Sequence, residues 1–197
     1  MPITLSNNIT QNISIAVWQI AETEEFFYHS LLLLPEDESK IRNIKLQKVR
    51  LQKLACRAAL AQLLGNNKVE ITYSETGQPL LKGHCISFSH TTTSSAVALS
   101  TIPVGIDMEE VTPRILKLYP RFMSEKEIFN SDVTELKNLY YFWCAKEAVY
   151  KWYGLKDLDF IEDLLVLKNE KKGSIKNKHT LQLKDFCIDN QYIVVSY

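Results

Sequence analysis

Glu147 is a carboxylate in strongly apolar surroundings. In the stretch 143-WCAKEAVYK-151 it follows Lys146 and precedes Lys151 by one helical turn. On a helical wheel it falls within an apolar stripe, and the opposite side of the same helix is also apolar. Charged side chains are rarely placed in such surroundings without a partner or a function. The simplest interpretation is an i,i+4 ion pair with Lys151, worth about 0.2–0.5 kcal/mol on an exposed helix.

A second pair of carboxylates lies in the stretch 104-VGIDMEEV-111. Because side chains alternate along a strand, Asp107 and Glu109 are predicted to share one face, while Ile106 and Met108 point into the core. Two carboxylates on one face repel each other unless a cation lies between them. The alternative is a solvated strand face that ends in an acidic turn.

Together, the two stretches predict an oxygen-only metal site. Asp107, Glu109 and Glu147 would supply three carboxylates, which suits Mg²⁺ because this ion fills its remaining positions with water and substrate phosphates. The sequence leaves open whether the three residues meet in space.

Two further features indicate an anion site. Arg50, Lys53 and Arg57 are spaced i, i+3, i+7, so they line one stripe of a predicted helix. Such a stripe is either a solvated basic face or a site for a phosphate-bearing ligand. The strand-like stretch 86-ISFSH-90 ends at a turn, where the imidazole of His90 could reach a phosphate or could be structural.

The bulk composition is that of an ordinary globular chain of one large domain or two small lobes. Its 197 residues include 23 basic and 23 acidic side chains, so a charged partner must bind a local patch. The four cysteines lack the spacing of a disulfide framework or a zinc site, which predicts reduced thiols and a cytoplasmic location. We expect no signal peptide, membrane span or nucleic-acid partner.

The pattern of elements predicts an α+β fold. Helices are expected over residues 22–34, 37–64 and 133–153, the last two ended by Gly65 and Gly154. A capping box is expected from Ser124 to Glu127 at the start of a further short helix. The strands are expected at residues 13–20, 69–73, 85–88, 95–100, 104–109, 164–168, 180–183 and 192–196, with those between 85 and 109 forming an antiparallel meander.

The order of motifs along the chain resembles the 4′-phosphopantetheinyl transferase superfamily. The motifs lie between residues 72 and 154, and the pairing of G-I-D-x-E with W-x-x-K-E-A-x-x-K is the most specific of them. They are Y-S-E-T-G-Q-P, I-S-F-S-H, V-G-I-D-M-E, R-F-M-S-E-K-E and F-W-C-A-K-E-A-V-Y-K. The length, and the presence of the motifs in one half only, are similar to the Sfp-type pseudodimeric branch. That resemblance implies two similar α/β lobes, residues 1–100 and 101–197, each with a long helix on a small antiparallel sheet and with the active site at the lobe interface.

The resemblance also implies an activity. Coenzyme A would donate its 4′-phosphopantetheine arm to a serine of a carrier protein and leave adenosine 3′,5′-bisphosphate. Asp107 and Glu109 would bind Mg²⁺, and Glu147 would either complete the metal site or act as base on the serine. Lys151 would hold a phosphate, with Lys146 alongside. A carboxylate next to a metal and a cation is expected to have a low pKa and to be a weak base.

By the same resemblance, the residues that contact coenzyme A are expected in the N-terminal half. They are Ser89 and His90 at the end of a strand, and Arg50, Lys53 and Arg57 on the first long helix.

The implied partner is an apo acyl or peptidyl carrier protein, bound by a monomeric enzyme. The predicted docking site for the carrier is the basic segment, 114-RILKLYPRFMSEK-126. In this segment Arg114, Lys117, Arg121 and Lys126 are interleaved with Ile115, Leu118, Phe122 and Met123. Two other hypotheses compete with this one. The first is a non-catalytic module of the same fold that binds coenzyme A or a carrier. The second is a Mg²⁺-dependent phosphatase or nuclease, although the sequence has no Gly-rich phosphate loop.

Overall fold

The computed structural model describes residues 3–75, 77–155, 157–176 and 178–197. The chain divides into two compact units, Met1–Pro103 and Val104–Tyr197. Each unit has its own hydrophobic core and its own long helix packed on an antiparallel sheet. The chain is thus mixed α and β, as predicted, while its assignment to the pseudodimeric branch stays a prediction. Thr76, part of the Y-S-E-T-G-Q-P motif, lies outside the described residues.

The N-terminal unit is built on a four-stranded antiparallel sheet of order β1-β2-β8-β7. Two small additions accompany it: a parallel pair, β3 with β4, and a hairpin, β5 with β6. Its strands are β1 (Ile3–Thr10), β2 (Ile13–Gln19), β3 (Leu32–Leu33), β4 (Lys68–Val69), β5 (Ile71–Tyr73), β6 (Pro79–Leu81), β7 (Cys85–His90) and β8 (Ser94–Ser100). Its helices are α1 (Glu24–Ser30), α2 (Pro35–Arg42) and α3 (Gln47–Leu64).

The predicted helix over residues 37–64 is two helices, α2 and α3, separated by residues 43–46. The break carries no Gly or Pro, so the sequence shows no stop signal there. A side chain supports the break instead, because the Arg50 guanidinium donates to the carbonyl oxygens of Ile44 at 2.6 Å and Lys45 at 3.1 Å. These bonds satisfy carbonyls that a continuous helix would have satisfied. Gly65 ends α3 in the left-handed conformation at φ 69°, as predicted.

The C-terminal unit is built on a five-stranded antiparallel sheet of order β10-β11-β12-β13-β9. A capping box at Ser124 and Glu127 starts α4, and Gly154 ends α5 at φ 70°, both as predicted. The strands are β9 (Gly105–Glu110), β10 (Leu164–Leu167), β11 (Lys172–Ile175), β12 (His179–Ile188) and β13 (Gln191–Ser196). The helices are α4 (Glu125–Phe129) and α5 (Leu136–Tyr153), preceded by 3₁₀ turns at Pro113–Lys117 and Tyr119–Arg121.

The predicted meander over residues 85–109 is wrong in its third strand. β7 pairs with β8, but β9 pairs with β13 in the other unit's sheet. Alternation of side chains cannot reveal which strand is the neighbour, because it describes the faces of a strand and not its edges. The pairing places Asp107 opposite Val194 and Glu109 opposite Tyr192.

Within the described parts of the chain, no helix is long and apolar enough to cross a bilayer.

Candidate active site

Asp107 on β9 and Lys151 on α5 form the central contact of the candidate site. The Lys151 ammonium lies 2.7 Å from Asp107 Oδ1 and donates a second hydrogen bond to the Ile106 carbonyl oxygen at 2.9 Å. Asp107 is buried, whereas 28% of the Lys151 side chain is exposed. Burial lowers the pKa of Lys151, but the Asp107 and Glu147 carboxylates outweigh it and raise that pKa overall. Lys151 is therefore a fixed cation with an exposed side, suited to contact an anionic ligand.

Gly105 explains how a lysine on α5 reaches a strand so closely. A Cβ atom at Gly105 would lie 1.9 Å from the Ala148 carbonyl oxygen and 2.8 Å from the Trp152 backbone nitrogen. The backbones of β9 and α5 therefore touch at this position, which only a glycine permits. The G of the G-I-D-x-E motif thus sets the distance between helix and strand on which the Asp107–Lys151 pair depends.

The carboxylates of Glu147 and Glu109 lie close enough to that of Asp107 to be repelled by it. Burial raises the pKa of Glu147 to about 7, and the Asp107 and Glu109 carboxylates add to the rise while Lys151 opposes it. Burial and Asp107 also raise the pKa of Glu109. Its Oε1 accepts a hydrogen bond from the Trp143 indole nitrogen at 3.1 Å. The three carboxylates thus share one electrostatic environment. The low pKa expected for a carboxylate next to a bound metal stays a prediction.

This donor set fits Mg²⁺ in its chemistry. Asp107, Glu109 and Glu147 offer only oxygen ligands, and their mutual repulsion is the kind that a divalent cation relieves. Their arrangement is not a preformed coordination sphere: among the residues described, no group of three or more His, Cys, Asp or Glu side chains is placed to hold a metal ion. Ligand side chains would have to turn toward a bound ion, and Asp107 would have to share its carboxylate between Lys151 and the metal.

Lys146, predicted alongside Lys151, has other partners. Its ammonium donates to Glu127 Oε2 at 2.8 Å and to the Phe160 carbonyl oxygen at 2.6 Å, and its side chain is fully buried. Burial lowers the pKa of Lys146, which the Glu127 carboxylate opposes. Glu127 also accepts hydrogen bonds from Ser124 N and Val166 N, both at 2.8 Å. These contacts favour a structural role that joins α4, α5 and β10, and the predicted catalytic role of Lys146 stays untested.

Two of the basic residues predicted to bind coenzyme A form ion pairs within the N-terminal unit. Arg50 makes a two-pronged contact with Glu24 at 2.8 and 2.9 Å. Arg57 is 2% exposed and makes a two-pronged contact with Asp37 at 2.9 and 2.6 Å. Its Nη2 also donates a hydrogen bond to Tyr73 Oη at 2.6 Å. Because the guanidinium of Arg57 is buried and already paired, its position indicates a role in packing α2 on α3 and not in ligand recognition.

The remaining predicted coenzyme A residues lie on α3 and β7. Lys53 is partly exposed, with a carbonyl that accepts from Arg57 Nη1 at 3.0 Å. Ser89 is buried and His90 is exposed at the end of β7, where they pair in register with Ala96 and Ser95. Their role in binding stays a prediction.

The sequence interpretation missed the contact between Trp143 and Glu109. The sequence analysis gave Trp143 no contact of its own, although an indole N–H usually has a partner when it is half-buried. The signal that could have revealed it is the four-residue spacing from Trp143 to Glu147, which places both residues on one face of α5, toward the acidic strand.

A family model matches the half of the chain that carries the candidate site. Residues 103–194 match the family model of the 4′-phosphopantetheinyl transferase superfamily, and this range includes every residue of the candidate site on β9 and α5. The match covers slightly less than half of the chain and points to transfer of phosphopantetheine from coenzyme A. No curated protein matches the chain.

The raised pKa of Glu147 leads to a stability prediction. Between its ordinary value of 4.5 and the folded value of about 7, the folded state binds more protons than the unfolded state, so metal-free stability falls as pH rises through this window. At pH 8 we expect Glu147→Gln to be more stable than wild type by at most about 3 kcal/mol, and near pH 4.5 nearly equal to it.

Thermal unfolding in EDTA at the two pH values measures this difference. Exposed Glu162→Gln is the matched control and should change little at either pH. A Glu147→Gln protein that is no more stable than wild type at pH 8 would contradict the electrostatic account of the site.

Proposed function

We propose that the chain transfers the 4′-phosphopantetheine arm of coenzyme A to a serine of an acyl or peptidyl carrier protein, in a Mg²⁺-dependent reaction of the Sfp type. The observation that carries the proposal is the cluster of Asp107, Lys151, Glu147 and Glu109 on β9 and α5. The cluster lies in the region that matches the superfamily model.

Each residue of the cluster has a definite task in this proposal. Asp107 and Glu109 would hold Mg²⁺, which when bound would neutralise charge on the pyrophosphate of coenzyme A. Glu147 would either complete the metal site or act as the base on the carrier serine. Lys151 is held charged by Asp107, so it would bind a pyrophosphate oxygen and stabilise the charge that develops on the leaving group. Asp107 orients Lys151 and would share its carboxylate between this lysine and the metal.

As the base, Glu147 would accept the proton of the carrier serine. Burial raises its pKa to about 7 in the protein without metal, and a bound Mg²⁺ would lower that pKa, so Glu147 would be a weaker base in the loaded site. The serine oxygen would form a bond to the phosphorus of the phosphopantetheine arm as the bond to adenosine 3′,5′-bisphosphate breaks, and the serine proton would pass to Glu147.

Intact-mass analysis of an apo carrier protein tests the proposal. After incubation with the chain, coenzyme A and Mg²⁺, the carrier should gain the mass of one phosphopantetheine group, and EDTA should prevent the gain. Asp107→Asn should slow the transfer by about a hundredfold or more, because it removes both a ligand and the anchor of Lys151. The matched control is Asp189→Asn, an exposed residue at φ 51° where asparagine is well tolerated.

Two outcomes would overturn the proposal. Full activity of Asp107→Asn would exclude the site on β9 and α5. If coenzyme A raises the melting temperature of the chain but no carrier gains mass, the non-catalytic binding module replaces the transferase.

The basic segment, residues 114–126, is proposed as the docking site for the acidic carrier. Its four basic residues are exposed, whereas Ile115, Phe122 and Met123 are buried in the core. The apolar residues of the segment are therefore mostly structural, and Leu116, 42% exposed, is the apolar side chain it presents to solvent. Four exposed positive charges in a chain of zero net charge form the kind of local patch that steers an acidic partner.

A charge reversal tests this docking site. Arg114→Glu with Lys117→Glu should raise the KM for the carrier about tenfold, and more at low salt, while the KM for coenzyme A stays nearly constant. Lys137→Glu with Lys178→Glu, two exposed lysines outside the segment, is the matched control. Equal losses toward both substrates would show that the segment supports the active site and does not dock the carrier.

A further inference from the structure

The turn at residues 159–163 is organised by its own side chains. Asp159 Oδ1 accepts hydrogen bonds from the backbone nitrogens of Ile161 at 2.7 Å and Glu162 at 2.9 Å. Asp163 Oδ2 accepts from the Asp159 backbone nitrogen at 3.0 Å. The turn is also joined to the end of β11, since Lys176 N donates to the Asp163 carbonyl oxygen at 2.7 Å. Its conformation is therefore set independently of the helix it contacts.

Phe160, inside this turn, contacts α5 in two ways. Its carbonyl oxygen accepts a hydrogen bond from the buried ammonium of Lys146 at 2.6 Å. Its ring lies against the rings of Trp143 and Tyr150, with centroids 5.8 Å apart in each case. The backbone contact fixes where the ring sits, and the ring contact limits how the Trp143 side chain can turn.

Trp143 transmits this constraint to the acidic strand. Its indole nitrogen donates to Glu109 Oε1 at 3.1 Å, while its ring also meets Phe122 edge-on with centroids 5.0 Å apart. A hydrogen bond from an indole is strongly directional, so a rotation of the ring moves the donor away from the carboxylate. The rings of Phe122 and Phe160 thus pack against the Trp143 ring, and the Trp143 indole binds Glu109.

We propose that Phe160 is a positioning residue for the acidic site, acting through Trp143 on Glu109. The turn at 159–163 places the Phe160 ring, the ring orients the indole, and the indole N–H fixes one oxygen of Glu109 toward α5. The other oxygen of Glu109 is then presented in a constant direction to whatever cation the carboxylates bind. The catalytic meaning of this arrangement rests on the proposed transferase function, whereas the contact chain from Phe160 to Glu109 does not.

The indole N–H resonances of ¹⁵N-labelled protein test the contact chain directly. The chain has three tryptophans, so three indole signals are expected, and Trp143→Phe identifies the signal of Trp143. In Phe160→Leu we expect the Trp143 signal to move upfield, as a hydrogen bond to a carboxylate is weakened. The signal of Trp18, whose indole donates to Glu22 in the N-terminal unit, should stay in place.

Two further variants separate positioning from a general loss of packing. Asp159→Ala leaves Phe160 intact and changes an exposed residue, yet it loosens the turn and should move the Trp143 signal in the same direction. Ile175→Val trims a buried side chain of the same core and should leave that signal unchanged. An unchanged Trp143 signal in Phe160→Leu, or an equal movement in Ile175→Val, would overturn the proposal.

A kinetic measurement adds a readout that simple destabilisation would not move. For Phe160→Leu we expect the Mg²⁺ concentration at half-maximal transfer to rise about fivefold, with kcat at saturating Mg²⁺ close to wild type and with Phe160→Tyr restoring the wild-type requirement. A fall in kcat with no change in the Mg²⁺ requirement would contradict positioning of Glu109. If wild type transfers no phosphopantetheine, the proposed function fails, and the indole signals still decide the role of Phe160.

Discussion

Gly105→Ala should be among the most damaging single-methyl changes in the C-terminal unit. The added Cβ would lie 1.9 Å from the Ala148 carbonyl oxygen, a backbone atom that cannot move without shifting α5 away from β9. Overpacking typically costs about 1–3 kcal/mol. Because the clash at Gly105 is with backbone that cannot rotate away, we expect a larger cost of about 4 kcal/mol. The shift would also separate Lys151 from Asp107, so transfer activity should be lost together with stability.

Chemical denaturation compared with Gly83→Ala measures the effect. Gly83 has φ 78°, and a Cβ there would meet no atom within 4 Å, so this control reports only backbone strain of about 1 kcal/mol. A Gly105→Ala protein as stable as Gly83→Ala would show that β9 and α5 do not approach each other closely, and the geometry of the site would have to be revised.

Lys146→Met should also destabilise the protein strongly. The substitution keeps most of the length of the side chain but removes the ammonium that pairs with the fully buried Glu127 carboxylate. Breaking a buried ion pair from one side costs about 3–5 kcal/mol, because the remaining charge is uncompensated. Glu127 keeps the hydrogen bonds from Ser124 and Val166, which favours the lower half of that range.

The matched control for Lys146→Met is Lys137→Met, an exposed lysine on the same helix. Its unfolding free energy should change by less than about 0.5 kcal/mol. The comparison also separates the two roles assigned to Lys146. A Lys146→Met protein that is as stable as Lys137→Met but inactive would restore the catalytic role predicted from the sequence.

The candidate site shows how far local patterns reach. The spacing of Asp107 and Glu109 predicted two carboxylates on one face of a strand. The helical pattern predicted Glu147 and Lys151 one turn apart on a helix. Both expectations depend only on the periodicity of a strand and a helix, which short-range sterics determine. The capping box at Ser124 and the left-handed end of α5 at Gly154 are local in the same sense, and both are present.

The pattern of charges along the sequence did not reveal the ion-pair partners of the basic residues. Arg50, Lys53 and Arg57 form a basic stripe in sequence, yet Arg57 is buried against Asp37 and Arg50 binds Glu24. Each acid precedes its arginine by 20 residues or more and lies on another helix. No periodicity within α3 carries information about residues on α1 or α2, so only the packing of these helices reveals that the charges are compensated.

By itself, the sequence determined the mixed α and β composition and the C-terminal ends of α3 and α5, and it named the acidic residues and the lysine of the candidate site. The tertiary structure decided that β9 pairs with β13, that Gly105 lets α5 touch β9, and that Lys146 turns to Glu127 while Lys151 turns to Asp107. The physical reason is the range of the forces involved. Backbone sterics and capping act within one or two turns of chain, whereas ion pairs and close approach depend on which distant elements share a core.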